Sequence, residues 1–273
     1  MPEALQQHAI TKTIQAQLRG VSRSTLYYKP LRPAQDEALR VDILEALIEH
    51  PAYGHRRLAL HLKANKKRVL RIMHKFGIVP IIRRKRSPYG RKSSLSGIPN
   101  RTPNLTPIAA NAIWNGDFTE FNWHGRKIYL ATVIDRYTRE LIAWQLGFHH
   151  TTRLILDVLE EAVRAQECTS FIFHSDQGSE YTAHACIEWL VSHEILPSHS
   201  PKAKPWRNGH QESFYNTFKL EFGKPMRHKT IGELTEAIGR YIHYYNTRRI
   251  HSALKMPPQV FRLKEENPRA ESV

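Results

Sequence analysis

The hydrophobic pattern of this chain changes period at Ile113, and that change limits what it can fold into. Up to there apolar residues recur at helical spacing. Beyond it, IWNGDFTEF, KIYLATVID and ELIAWQLGF are short segments rich in β-branched and aromatic residues, separated by glycine-containing or charged turns. TTRLILDVLEEAVRAQ returns to a helical pattern, with Leu154, Val158 and Val163 facing inward. SFIFHSD then reads as a short buried strand, HACIEWLVSHE as a second helix, and Leu196 to His199 as a further short strand. Three hairpin strands followed by helix, strand, helix, strand, helix predict an α/β sheet of mixed direction with helices packed on it.

The residues before the change predict helices only. Leu5, Ile10, Ile14 and Leu18 form a stripe that Gly20 stops, and Ser22 is placed to cap a short helix ending at Pro30. In 34–76, Leu39, Ile43, Ala46 and Leu47 form one helical face, and Pro51 ends that helix. YGHRRLALHL is a short helix, and Asn65 caps a further one on which Val69, Met73 and Phe76 face inward and Gly77 supplies the stop. Lys67, Arg68, Arg71 and Lys75 lie on its outer face. With the turn at Lys63 and Ala64, this is a helix-turn-helix candidate for DNA contact, against the plainer reading of a solvated basic face.

Charge follows the same division. Residues 1–105 hold 21 Lys/Arg and 6 Asp/Glu, a net of +15, whereas residues 106–273 hold 20 and 19, a net of +1. A basic half beside a near-neutral half points to a polyanion-binding module joined to something else. The linker RRKRSPYGRKSSLSGIPNRTPNLTP reads equally as a phosphate-neutralising tether or as a nuclear-localisation run. No run approaches the roughly 18 apolar residues of a membrane span, and no secretory h-region opens the chain. The two cysteines, Cys168 and Cys186, cannot build a disulfide framework or a four-cysteine zinc site, which makes a reducing cytoplasm the expected location.

Three carboxylates carry the chemistry. Asp117 interrupts a strand among aromatic residues, where an unpaired buried charge costs several kcal/mol, order of magnitude, and so calls for a partner such as a metal ion. Asp176 follows the apolar FIF strand in HSDQGSEY, with Gly178 permitting a tight turn at the sheet's C-terminal edge, where open α/β sheets carry their sites. Glu212 comes 35 intervening residues later, near the start of a helix whose same face continues through Asn216 and Lys219 and whose other face carries Phe214, Phe218 and Phe222. Oxygen ligands on converging elements suit Mg²⁺ or Mn²⁺, and a pair of ions suits phosphodiester chemistry. Each residue alone also reads as an ordinary turn or cap, as do Asp135, Asp157 and Glu180.

This set resembles the OrfB transposases of bacterial IS-three family insertion sequences, within the retroviral-integrase superfamily, over about residues 10–262. The resemblance is carried by the spacing of Asp117, Asp176 and Glu212, by HSDQGSEY, by VIDRYTRELIAW at 133–144, by YYNTRRIHSAL at 244–254, and by HPAYGHRRLALHL with the basic helix after it. It implies an RNase H-like core, a mixed five-stranded sheet with flanking helices, preceded by an all-α helix-turn-helix region. The expected divisions are an N-terminal helical segment (1–32), a helix-turn-helix domain (33–80), a basic linker (81–107), the catalytic core (108–228) and a C-terminal helix and tail (229–273).

The resemblance also implies Mg²⁺- or Mn²⁺-dependent DNA cleavage and joining, with two ions and with catalytic and metal roles for Asp117, Asp176 and Glu212. Lys219 matches a basic residue that contacts terminal DNA; four residues after the glutamate, where integrases often carry a basic residue, this chain has Asn216. Arg249 and His251 match the C-terminal block, with DNA contact or site support. Trp206 and Arg207 lie in PKAKPWRNG, a basic loop in which the tryptophan either stacks on an unpaired base or packs on the core. The implied partners are double-stranded DNA, further copies of the chain on that DNA, and an OrfA protein or fusion; the implied location is the bacterial cytoplasm at the nucleoid. A metal-dependent nuclease without joining activity and a non-enzymatic DNA-binding regulator are the rival functions.

Overall fold

The computed structural model describes residues 11–27, 32–81, 98–102, 105–166, 171–200 and 209–267. Its N-terminal part is helical: α1 (Lys12–Leu18), a 3-10 turn at Arg23–Leu26, α2 (Arg32–Glu49), α3 (His55–His61) and α4 (Lys66–Lys75). The Ser22 hydroxyl bonds the hydroxyls of Ser24 and Thr25, both at 2.8 Å, rather than a backbone N–H, so the expected cap is absent there. Asn65 does cap α4, its Oδ1 accepting from the N–H groups of Lys67 and Arg68. Leu39, Ile43, Tyr53, Leu58, Val69, Ile72 and Met73 make the core of this unit. Ile72, not Phe76, completes the inward face of α4. Phe76 falls at the helix end, where its ring lies under Arg40 and Lys75.

The second part is a five-stranded sheet in the order β3-β2-β1-β4-β5. β1 (Ile113–Trp123) and β2 (Arg126–Asp135) form a hairpin around His124 and Gly125, both at positive φ, the conformation that a two-residue turn between right-twisted strands demands. β3 (Leu141–Gly147) extends it antiparallel, and β4 (Phe171–Ser175) and β5 (Ile195–His199) add parallel strands on the other side of β1. α5 (Thr152–Gln166), α6 (Ser179–Thr182) and α7 (His184–Ser192) belong to one face, around Trp114, Ala131, Val133 and Phe173. α8 (Gly209–Glu221) and α9 (Ile231–Thr247) cover the other, with Leu130, Phe214, Phe218, Ile238 and Tyr245 between them and the sheet. α10 (Pro258–Glu266) closes the described chain. This is the mixed, helix-flanked, RNase H-like sheet expected. Among the described residues no helix is long and apolar enough to cross a membrane.

Gly116 is dictated by packing. A Cβ there would come within 2.2 Å of the Phe173 ring, so only glycine lets β4 lie against β1 beside the candidate site.

The segment YYNTRRIHSAL joins the two parts. Tyr244 Oη bonds His50 Nδ1 at 2.8 Å, and the Ile250 N–H donates to Tyr53 Oη at 2.6 Å. Arg248 pairs with Glu49, and Arg57 donates to Ser252 Oγ. Ile250 enters the helical core, while Asn246 both accepts from and donates to the backbone of Leu141 at the start of β3. The segment therefore clamps the helical unit to the sheet.

Candidate active site

β1 and β4 set the geometry of the two aspartates. Asn115 pairs with His174 across the parallel strands, so Asp117 and Asp176 each stand two residues beyond a matched pair, on chains about 4.8 Å apart. Alternation along β1 puts Asp117 on the face of Phe121, toward α8, opposite to Trp114 and Phe118. Asp117 Oδ1 accepts from the Phe118 N–H, and Asp176 Oδ1 accepts from the Gly178 N–H at 2.9 Å. Gly178 has an ordinary φ of −59°, so the turn does not require glycine for its backbone angles. The space is what is short: a Cβ at 178 would lie 3.1 Å from Asp176 Oδ1 and 2.9 Å from Glu180 Oε2.

Two buried tyrosines register the paired charges. The hydroxyls of Tyr181 and Tyr215 are pushed well above the usual phenol range, by burial first and then by the charges of Asp117 and Asp176. Tyr215 Oη donates to the Asp117 carbonyl at 2.6 Å and shares a 2.7 Å bond with Thr132 Oγ1. Tyr181 Oη is buried with no hydrogen-bond partner among the described residues. An orphaned buried hydroxyl whose pKa is raised by two carboxylate charges fits a site completed by a cation and its water, and carboxylate oxygens are the donors a hard divalent ion takes.

Glu212 belongs to the first turn of α8 and is exposed. Its neighbour Gln211 is fully buried: its amide donates to the carbonyls of Asn115 and Thr132, and its oxygen accepts from Thr132 Oγ1 at 2.9 Å. Gln211 and Tyr215, one turn apart, thus staple α8 to β1 and β2 beside Asp117. The register sets Asp117 and Asp176 just beyond the paired segments of adjacent strands and leaves Glu212 exposed on α8. No group of three His, Cys, Asp or Glu side chains is close enough to hold a metal ion among the described residues. Asp135, Asp157 and Glu180 have structural partners: Asp135 accepts from the N–H groups of Asn111, Tyr137 and Thr138, Asp157 pairs with Arg153, and Glu180 with His150.

The expected DNA-contact residues fall in different settings. Lys67 is exposed on α4. Arg68 donates to the Gln35 carbonyl; Arg71 grips both oxygens of Asp36, and Lys75 lies 3.0 Å from the same carboxylate. The bonds from Arg71 and then Lys75 hold the Asp36 carboxyl far below the usual range, so Asp36 offsets one of these cations on a surface where both remain about half exposed. Lys219 is exposed in the last turn of α8. Trp206 and Arg207 lie outside the described residues. Arg249 is only 4% exposed and donates through Nε to both oxygens of Glu221. His251 is half-buried and bridged to Met256 through the backbone, and its pKa is lowered to about 4 by burial and by Arg139, Arg249 and Arg57.

Beside Glu212 lies a cavity the sequence did not announce, lined among others by Arg57, Arg139, His210, Ser213, Arg249 and His251. Its arginines come from α3, the β2–β3 turn and the end of α9, so no spacing along the chain could have grouped them. HRRLALHL, DRYTRE and YYNTRRIHSAL carried its separate traces.

Residues 108–205 match the family model described as Integrase core domain, residues 193–258 match a second model of that description, and residues 34–86 match one described as HTH-like domain. The chain is 33% identical over 228 residues to the transposase for insertion sequence element IS904 of Lactococcus lactis subsp. lactis (strain IL1403), covering 80% of this chain and 90% of that protein. It is 32% identical over 264 residues to the insertion element IS600 uncharacterized 31 kDa protein of Shigella sonnei, covering 91% and 97%. Among solved structures, a chain of the simian T-cell lymphotropic virus intasome in complex with PP2A regulatory subunit B56 gamma aligns at 17% identity with a TM-score of 0.48, covering 85% of this chain and 77% of that one.

Proposed function

The chain belongs to the insertion-sequence transposases with an integrase core domain, and from that premise we propose that Asp117, Asp176 and Glu212 form its catalytic site for metal-dependent cleavage and joining of DNA strands. The observation that supports this reading is the register of β1 and β4, whose last matched pair, Asn115 with His174, lies two residues before both Asp117 and Asp176, on the sheet that the Glu212-bearing helix covers. The three carboxylates would hold two Mg²⁺ or Mn²⁺ ions, with Glu212 completing the set when DNA is bound. When bound, the ions supply neutralisation of charge at the reacting phosphate and a lower pKa for the attacking hydroxyl.

The protein's own groups hold the geometry. Gln211 and Tyr215 lock α8 to β2 through Thr132 and to β1 through the Asn115 and Asp117 carbonyls, which keeps Glu212 from drifting away from the strand that bears Asp117. The buried Tyr181 hydroxyl has no partner of its own among the described residues, and the charges of Asp117 and Asp176 add to burial in raising its pKa. Its raised pKa keeps it protonated, so it serves as a donor and not as a base. First water attacks the phosphodiester at the element's end and the 3′-oxygen leaves as a free 3′-OH; that hydroxyl then attacks a target phosphodiester in line, forming the new P–O bond as the target strand's own 3′-oxygen leaves and takes up a proton. No covalent link between protein and DNA forms.

Around this site we assign DNA contacts to Lys67, Arg68, Arg71 and Lys75 on α4, to Lys219 on α8, and to Trp206 and Arg207. Arg249 and His251 support the site by holding the C-terminal segment in place. Two element ends must meet, so the working form is an oligomer on DNA, and an OrfA partner or fusion supplies a further DNA-binding unit. Labelled terminal DNA incubated with the chain and Mg²⁺ tests the reading. Joined product is expected. Cut product alone would make the chain a nuclease, and a mobility shift without cutting would make it a DNA-binding regulator.

A further inference from the structure

The cavity between α3, the β2–β3 turn, the start of α8 and the end of α9 is strongly basic and poorly compensated. It encloses about 380 Å³ and is lined by the guanidinium groups of Arg57, Arg139 and Arg249. Glu221, the carboxylate beside Arg57 and Arg249, gives both oxygens to Arg249 Nε and accepts from Tyr241 Oη, and the charge of Asp135, which acts on Arg139, is already met by three backbone N–H groups. Arg57 Nη1 is 4.0 Å from Glu221, too far for a hydrogen bond, and is buried with no hydrogen-bond partner among the described residues. Among the described residues Arg139 donates to neutral acceptors, the Arg136 carbonyl and His210 Nε2, and its Nε is buried without a hydrogen-bond partner. Buried donors on cations are costly to leave unmatched, and an anion in the cavity would match them.

The remaining lining suits a phosphate. Ser213 and Thr217 add hydroxyls, and Gly209 opens the 13-residue helix α8, whose positive end favours anions. A guanidinium fork presents paired donors to phosphate oxygens. A second cavity, lined by Glu212, Asn216 and Glu221, shares Arg57, Ser213 and Arg249 with the first, so the two adjoin along α8.

We infer that this arginine cavity seats a backbone phosphate of the DNA strand whose reacting bond lies at Glu212, fixing that strand's register against the carboxylates. The inference rests on the proposed transposase reading for the identity of the strand. Arg57 belongs to α3, so the subsite also couples the helical unit to the position of DNA at the catalytic helix. Arg57 and Arg139 would be positioning residues.

Binding of a labelled duplex by the full chain, measured across a salt series, tests this. The variants are Arg139→Gln, which removes a charge, and Ser213→Asp, which puts a carboxylate at an exposed lining position. Each should weaken binding about tenfold and reduce the slope of log affinity against log salt by about one, the signature of one lost phosphate contact. Melting temperature is recorded alongside, and if Arg139→Gln proves unstable, Ser213→Asp decides. Unchanged slopes in folded variants would overturn the inference. So would a pocket for free anion, seen as millimolar inorganic phosphate raising the wild-type melting temperature but not that of Ser213→Asp, with DNA slopes unaltered. Failure of the transposase reading is separate: it appears as continued cleavage by Asp117→Asn, whatever the salt slopes do.

Discussion

Replacing Glu221 by Gln would leave the Arg249 guanidinium buried without its counter-charge. The two side chains are 5% and 6% exposed, so solvent screens the pair very little. Arg249 Nε reaches both carboxylate oxygens, at 2.9 and 2.8 Å, and Tyr241 Oη donates to the same group at 2.9 Å. Burial lowers the pKa of Arg249, but the bonds to Glu221 outweigh it and hold the pKa above its ordinary value, so the charge stays. Removing one partner of such a pair costs about 3–5 kcal/mol. At about 2–4 °C per kcal/mol for a chain near this size, Glu221→Gln should lower the melting temperature by about 6–20 °C. Adding Arg249→Met should recover most of that loss, because an apolar replacement of both partners is often neutral or better. Thermal unfolding at pH 7 of the wild type, both single variants and the double variant gives the coupling directly. A loss below about 1 kcal/mol in Glu221→Gln would refute the reasoning, since that is what a solvent-exposed pair is worth.

Three further outcomes follow from the same contacts. The His251 pKa is lowered to about 4, against 6.5 unfolded, and that of His50 is lowered in the same direction, chiefly by burial. Stability is therefore full above pH 6.5 and falls as pH drops, by about 2 kcal/mol from His251 between pH 6.5 and 5 at 1.36 kcal/mol per unit; urea midpoints at pH 7.5 and 5 check this, and His251→Gln should flatten the dependence. Gly116→Ala drives a methyl group into the Phe173 ring and should cost about 1–3 kcal/mol in a denaturant melt, with a smaller cost when Phe173→Leu is added. Lys219→Glu should abolish cleavage of terminal DNA while changing stability by less than about 1 kcal/mol, the scale of a helix-end charge; normal cleavage by that variant would remove Lys219 from the DNA-contact set.

The parts of this molecule that depend on local pattern could be read from its sequence. The β1–β2–β3 run and α5 follow from periodicity, and the Asn65 cap from one residue's side chain. Spacing and context singled out Asp117 and Asp176. What depended on distant neighbours was hidden. Arg71 and Lys75 looked like a bare basic face, because Asp36 lies on another helix, 35 and 39 residues away. Ile72 and Phe76 both fit a helical stripe, and only the end of α4 against Arg40 decides between them. Gly178 looked like a turn glycine, whereas the constraint is the crowding of Asp176 and Glu180. The roles of Gln211 and Tyr215 emerge only once α8 lies on the sheet, where their bonds to Thr132 and the β1 carbonyls form.

The central claim is that Asp117, Asp176 and Glu212 act together on DNA. Its most direct test is strand transfer by Asp117→Asn, Asp176→Asn and Glu212→Gln, measured with labelled element ends and Mg²⁺ alongside the affinity of each variant for the same DNA. Each substitution keeps the shape of the side chain and removes its charge. The account predicts loss of both cleavage and joining in all three, with affinity for DNA largely retained. Substantial Mg²⁺-dependent product from any one of them would contradict it and remove that residue from the site.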